Sequence, residues 1–303
     1  MDQIPSGKQF PIASGGTNAT VVQVGGALRT LEVGGRPLLD GYPAEAICDG
    51  ARGQFLLPWP NRVRDGHYRW RGTEYQLGLT EPTNSCAIHG LVRWANWECA
   101  EQRANSVSMT YRMPPQPEWP WALDLSLTYT VEETGITVRT TARNLSDAVA
   151  PFAAGAHPYL CAGTDIIDDA RVHIPAASWL PTDPQQIPTG VEPVDGSPYD
   201  FRTPRRLGDT AIDYAYTDLE RDSAGIFRAQ LAGSWTTEIW LDESFRYLEV
   251  FTGDALPNAA RRRQGLGVEP MTAPPNALAS GTDIIALRPG EAWTGTWGIR
   301  YVE

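Results

Sequence analysis

A chain of 303 residues, 42% of them hydrophobic, can bury a large core without disulfide or metal staples. Its 25 basic and 36 acidic residues give a net charge of -11, which argues against nucleic acid or an anionic membrane as partner, since both need a basic face. The start, Met1-Asp2-Gln3-Ile4-Pro5-Ser6, lacks a basic segment followed by an apolar run, and no stretch reads as a transmembrane span. A cytoplasmic protein is therefore expected. Cys48, Cys86, Cys99 and Cys161 include no C-x-x-C pair, so reduced, buried thiols are expected and a zinc site is not.

In chain order, strands are predicted at Val21–Val24 and Leu28–Val33, a turn at Ala44–Ile47, and a strand at Tyr68–Trp70. Strict alternation then sets in. Val107, Met109, Tyr111 and Met113 alternate with polar residues across Ser106–Met113. Leu123, Leu125, Leu127, Tyr129 and Val131 alternate with Asp124, Ser126, Thr128 and Thr130. After the hairpin signal Glu132-Glu133-Thr134-Gly135, the same rhythm resumes over Ile136–Arg143. One buried and one solvated face per strand marks antiparallel sheet. Pro181–Pro204, rich in Pro, Gly, Asp and Thr, reads as a long surface excursion. Strands follow at Thr237–Leu241, Tyr247–Phe251 and Thr294–Tyr301, with the charge run Arg261-Arg262-Arg263 as a solvated loop or an anion contact. The 29 glycines and 25 prolines are spread throughout, as many short strands joined by turns require. The expected fold class is all-β, a large sandwich of mostly antiparallel strands forming one domain over 1–303, with residues 1–14 as a loose N-terminal arm.

Three fragments carry candidate chemistry: Asn84-Ser85-Cys86-Ala87-Ile88-His89-Gly90, Ala154-Gly155-Ala156-His157-Pro158-Tyr159 and Gly267-Val268-Glu269-Pro270-Met271. They supply two imidazoles and one carboxylate. Such a set can give a proton to one atom of a small polar molecule while removing one from another. Their separation in sequence means that only the fold can bring them together.

These fragments, with Pro60-Asn61-Arg62, Gly66-His67-Tyr68, Ile212-Asp213-Tyr214 and Pro274-Pro275-Asn276-Ala277-Leu278, resemble the aldose 1-epimerase (galactose mutarotase) family from about Gly15 to the C-terminus. Leu160 and Met271 stand where the family often has Phe and Gln. The resemblance implies a galactose mutarotase-like β-supersandwich and a cofactor-independent isomerase acting on a small-molecule sugar as monomer or homodimer. It implies Glu269 as base, His157 as the acid at the ring oxygen, titrating near neutrality, and His89 as a second imidazole touching the ring. Arg62 and Asp213 would hold sugar hydroxyls. Asn61 is placed with the substrate-binding residues, more as a brace of its loop than a contact, and Trp94 could offer an aromatic face, while most of the 11 tryptophans are expected in the core. His67 and His173 are left as structural or surface residues. Two alternatives stay open: a hexose-6-phosphate 1-epimerase, for which Arg64, Arg93 and the triple arginine are the candidate cations, and a non-catalytic sugar-binding protein. Ring opening and closure require no metal and no redox cofactor.

Overall fold

In the computed structural model the described residues are 4–303. Among them, two large antiparallel sheets dominate. The first runs, in spatial order, Glu98–Gln102, Ser106–Met113, Leu123–Glu132, Gly135–Asn144, Ala292–Val302, Thr236–Leu241, Phe227–Ala232, Arg171–His173 and Arg205–Arg206. The second runs Glu192–Pro193, Ala176–Trp179, Asp213–Leu219, Tyr247–Phe251, Leu266–Met271, Gly155–Ala156 and Phe55–Leu56, with Tyr159–Leu160 also paired to Leu266–Met271. The all-β, antiparallel reading is thus met. The alternating segments became the long strands of the first sheet, Leu123, Leu125, Leu127, Tyr129 and Val131 being buried while the residues between them are not. Glu132 pairs directly with Gly135, which closes the expected hairpin in two residues.

The sheets meet through large apolar side chains. Phe55 of the second sheet packs edge-on against Tyr129, ring centroids 6.2 Å apart, and tilted against Trp297 at 6.3 Å, both from the first. Trp59, Trp97, Trp119, Trp121, Trp179 and Trp297 are buried, as expected for most of the tryptophans, whereas Trp94 is 57% exposed.

Three local expectations are corrected. Within the supposed loose arm, Gln9–Ser14 is a strand, paired residue for residue with Thr17–Val22, because Phe10 and Ile12 alternate into the core; residues 1–3 lie outside the described residues. The 181–204 excursion lies mostly at the surface, as expected; Ile187, Val194 and Phe201 pin it to the body, and it contributes the short strand Glu192–Pro193. In the triple arginine only Arg262 is exposed, donating to the Leu256 carbonyl at 2.8 Å, while Arg261 pairs with Asp40 at 2.6 Å and Arg263 with Asp168 at 2.6 Å and Asp254 at 2.9 Å. All four cysteines are free, but only Cys86 is buried and Cys99 is exposed, since its strand lies at the edge of the first sheet. No helix among the described residues is long and apolar enough to cross a membrane.

Because Phe55 fills the space between sheets, Phe55→Ala should lower unfolding stability by about 3–5 kcal/mol. Urea denaturation followed by tryptophan fluorescence checks this.

Candidate active site

The site forms beside the second sheet, where His157 and His89 follow short strands and Glu269 stands within a longer one. Gly155–Ala156 leads directly into His157, whose backbone N–H donates to the Gln54 carbonyl at 3.0 Å and whose carbonyl accepts from the Gly53 N–H at 2.9 Å. The Gly53 segment that makes this pair of hydrogen bonds is itself packed tightly on Leu28: its φ is +68° and a Cβ would sit 2.0 Å from the Leu28 carbonyl oxygen. His89 lies on a turn at φ +65°, a conformation rare outside glycine. Gly90 follows at φ +70° with no room for a side chain against Leu57. Glu269 was expected at a strand end; it lies within the strand Leu266–Met271, directly opposite Glu249 of Tyr247–Phe251.

These elements bring all three predicted proton-transfer groups together. His157 Nε2 is 3.1 Å from Glu269 Oε1, and the His89 and His157 rings meet edge to face with centroids 5.3 Å apart. His157 is 5% and Glu269 2% exposed, so the pair is almost wholly desolvated, yet both line one cavity of about 330 Å³. That volume, at the small end of ligand cavities, suits a single small polar molecule. Around it stand Asn61, Arg62, Glu81, His89, Arg93, Trp94, Tyr159 and Asp213, so every predicted site residue borders the same space.

The roles differ in detail from their sequence-based form. Arg62 uses its Nε and one Nη on Glu81, at 2.7 and 2.9 Å, leaving Nη1 for a ligand. Asn61 braces, as expected: at φ +53° its backbone N–H donates to His89 Nδ1 at 3.2 Å, and its side-chain oxygen accepts from the Arg62 N–H at 2.8 Å. With Nδ1 accepting, neutral His89 carries its proton on Nε2. Trp94 stands at the exposed rim. His67 lies at the surface and meets Glu74 at 2.9 Å, and His173 is half-buried outside the cavity.

Electrostatics alter the expectation that His157 titrates near neutrality. Burial, then the charges of Arg93 and Arg52, push its proton affinity down to about 3, outweighing the Glu269 carboxyl beside it. Burial, then proximity to His157, does the same to His89. Burial, then the Asp213 charge, raises Glu269 well above the usual carboxylate range. The pair therefore favours a neutral imidazole beside a protonated carboxyl. His89, His157 and Glu269 also place one atom each within 4.8 Å of one another, and His157 and Glu269 already meet at 3.1 Å.

Sequence reasoning missed several neighbours. Tyr159 stacks on His157 with centroids 5.0 Å apart and planes 7° from parallel, and the Arg52 guanidinium lies over the Tyr159 ring, 4.4 Å from its centroid. Glu81 holds Arg62, and Glu249 lies behind Asp213 and Glu269. Glu249 had a signal: one charge inside the apolar run Tyr247-Leu248-Glu249-Val250-Phe251.

Comparisons with known proteins give the class of protein that carries this buried cluster of imidazoles and carboxyls. The family model for aldose 1-epimerase matches residues 8–300, and the chain belongs to that family. It is 33% identical to the uncharacterized protein YihR of Escherichia coli K12 over 288 residues, 94% of this chain and 91% of that one. It is 29% identical to human galactose mutarotase over 199 residues, covering 63% of this chain and 56% of the human protein. The crystal structure of a GalM/aldose epimerase homologue from C. elegans superimposes with a TM-score of 0.85 at 18% identity, over 98% of this chain and 99% of that one, and shows the shared galactose mutarotase-like fold.

The folded His157 holds its proton less tightly than the ordinary value of 6.5. Its contribution to stability is thus complete above about pH 6.5 and is lost as the pH falls through about 3. The stability of the wild type relative to His157→Asn should therefore decline over that window and stay level above it. Denaturation midpoints measured from pH 3 to 8 test this.

Proposed function

We propose that the protein is an aldose 1-epimerase that interconverts the α and β anomers of hexoses by acid–base ring opening and closure. The observation that carries the reading is the buried His157–Glu269 pair, Nε2 to Oε1 at 3.1 Å, on the wall of a sugar-sized cavity. Moving a proton from the carboxyl to the imidazole produces imidazolium and carboxylate, an acid and a base side by side. With sugar bound, Glu269 accepts the proton of the anomeric hydroxyl as His157 Nε2 donates to the ring oxygen. The C1–O5 bond breaks, C1–O1 becomes a carbonyl, and the pair is left as neutral imidazole and protonated carboxyl. Rotation about C1–C2 presents the other carbonyl face. On closure the O5 hydroxyl returns its proton to His157 and Glu269 returns one to O1, so the cycle is proton-neutral.

The remaining groups position the sugar. His89 Nε2–H donates to the ring or its hydroxyls, Arg62 Nη1 donates, and Asp213 accepts from vicinal hydroxyls. Trp94 offers an aromatic face at the rim. A pure binder would gain nothing from a desolvated acid–base pair, whose burial costs stability.

The variant Glu269→Gln keeps the shape but not the proton acceptor. Turnover of freshly dissolved α-glucose and α-galactose, followed by polarimetry, should fall by about 10²–10⁴-fold in a variant whose circular dichroism is unchanged. Retention of more than half the turnover would remove Glu269 from the mechanism.

A second reading, a hexose carrying an anionic group such as a 6-phosphate, is favoured by one observation. Arg64 is held by Asp183 and Gln185, and the triple arginine is held as described, but Arg93 lines the cavity with no ion pair among the described residues. Against it, Glu81, Asp213 and Glu269 border the same space. The expected result is that galactose is turned over more efficiently than glucose 6-phosphate, with a KM that changes little with salt. A phosphosugar preference that shrinks at high salt and in Arg93→Met would transfer the assignment to the anionic hexose.

A further inference from the structure

Glu249 is a carboxyl group that the proton transfers above do not use. It is 2% exposed and pairs across the sheet with Glu269, so the two side chains share a face. On the next strand Ala215 is its cross-strand partner, and Asp213, two residues along, shares that face as well. The three acids therefore form one cluster, with Arg62 as the cation against it and the Tyr216 ring close by. Asp213 and Glu269 border the cavity; Glu249 is behind them.

Two features say how this cluster is held. The register makes the Glu249 and Asp213 carboxyls diagonal neighbours on one face of adjacent strands, a spacing that long side chains bridge, and two carboxyls can bond only if one carries a proton. Glu249 Oε2 is buried with no hydrogen-bond partner among the described residues, a state that suits a neutral carboxyl and not an ionised oxygen that must be solvated. Asp213 is the member nearer water and the Arg62 charge, so it is the acceptor. Burial, then the charges of Asp213 and Glu269, strengthens the hold of Glu249 on its proton.

We propose that Glu249 is a positioning residue, a neutral carboxyl that donates to Asp213, fixes which Asp213 oxygen faces the sugar, and keeps a further negative charge away from Glu269. The proposal rests on the reading of Asp213 as a sugar-binding acceptor, but its central claim, the protonated carboxyl, is measurable without turnover.

The test compares Glu249→Gln, whose amide still donates to Asp213, with Glu249→Leu, which has no donor. Infrared difference spectra of folded wild type and Glu249→Gln at pH 7.5 should show a protonated-carboxyl C=O band that the variant loses and Glu269→Gln retains at least in part. Polarimetry with α-galactose should give Glu249→Leu a KM raised by about tenfold, the loss of one hydrogen bond to a charged group, with a smaller effect on kcat. Glu249→Gln should recover most of that loss. If Glu249→Leu does not fold, the infrared comparison and the Gln variant decide alone. A band unchanged in Glu249→Gln overturns the proposal, as does a kcat loss in that variant as large as that of Glu269→Gln, which would make Glu249 a working carboxylate. Absence of galactose turnover in wild type would count against the mutarotase reading, while the infrared result would still decide the state of Glu249.

Discussion

The structure turns on a carboxylate placed where water cannot reach it. Antiparallel pairing of Tyr247–Phe251 with Leu266–Met271 sets Glu269 opposite Glu249 in the middle of a sheet, and the His157 imidazole closes over it at 3.1 Å. A buried ion costs several kcal/mol unless it is paired or neutralised. Here Glu269 meets the His157 imidazole at 3.1 Å, and burial favours the neutral, protonated form of both Glu269 and Glu249. Under the proposed function, the proton of such a carboxyl is the one passed to the imidazole and on to the sugar.

Keeping the pair in register requires much of the surrounding fold. Gly53 and Gly90 allow backbones to approach where any side chain would collide, and so place His157 and His89. Asn61, itself left-handed, fixes the tautomer of His89. Arg52 over Tyr159, and Tyr159 over His157, form a stack beneath the imidazole, with the Tyr159 hydroxyl anchored on the Gly50 carbonyl at 2.9 Å. The stack combines apolar contact with a nearby positive charge, so it both orients the ring and discourages a standing imidazolium.

The arginines show how the surroundings are partitioned. Arg52, Arg62, Arg64, Arg261 and Arg263 are each committed to carboxylates, stapling loops across long sequence separations. Arg93 faces the cavity without such a commitment among the described residues and therefore projects its charge onto both imidazoles. The carboxyl groups of Glu81, Asp213 and Glu269 border the same cavity.

The sequence by itself determined the fold class and the identity of the chemical groups. Period-two alternation over Ser106–Met113, Leu123–Glu132 and Gly135–Asn144 has a single physical solution, a sheet with one dry face, and these strands appear within a residue or so of their expected bounds. Likewise His89, His157 and Glu269 stood out because each sits in a tight Gly- or Pro-flanked context. Short strands such as Phe55–Leu56 and Gly155–Ala156 left no such trace, since two residues carry no period and exist only because a neighbouring strand pairs with them. Proton affinity was also beyond the sequence: neutrality was expected for His157, and burial with Arg93 and Arg52 removed it. Glu249 shows the division most plainly. Its presence in an apolar strand was legible, but its partners were not, because register across a sheet is settled by packing between segments far apart in the chain, and only that packing set three acids on one face.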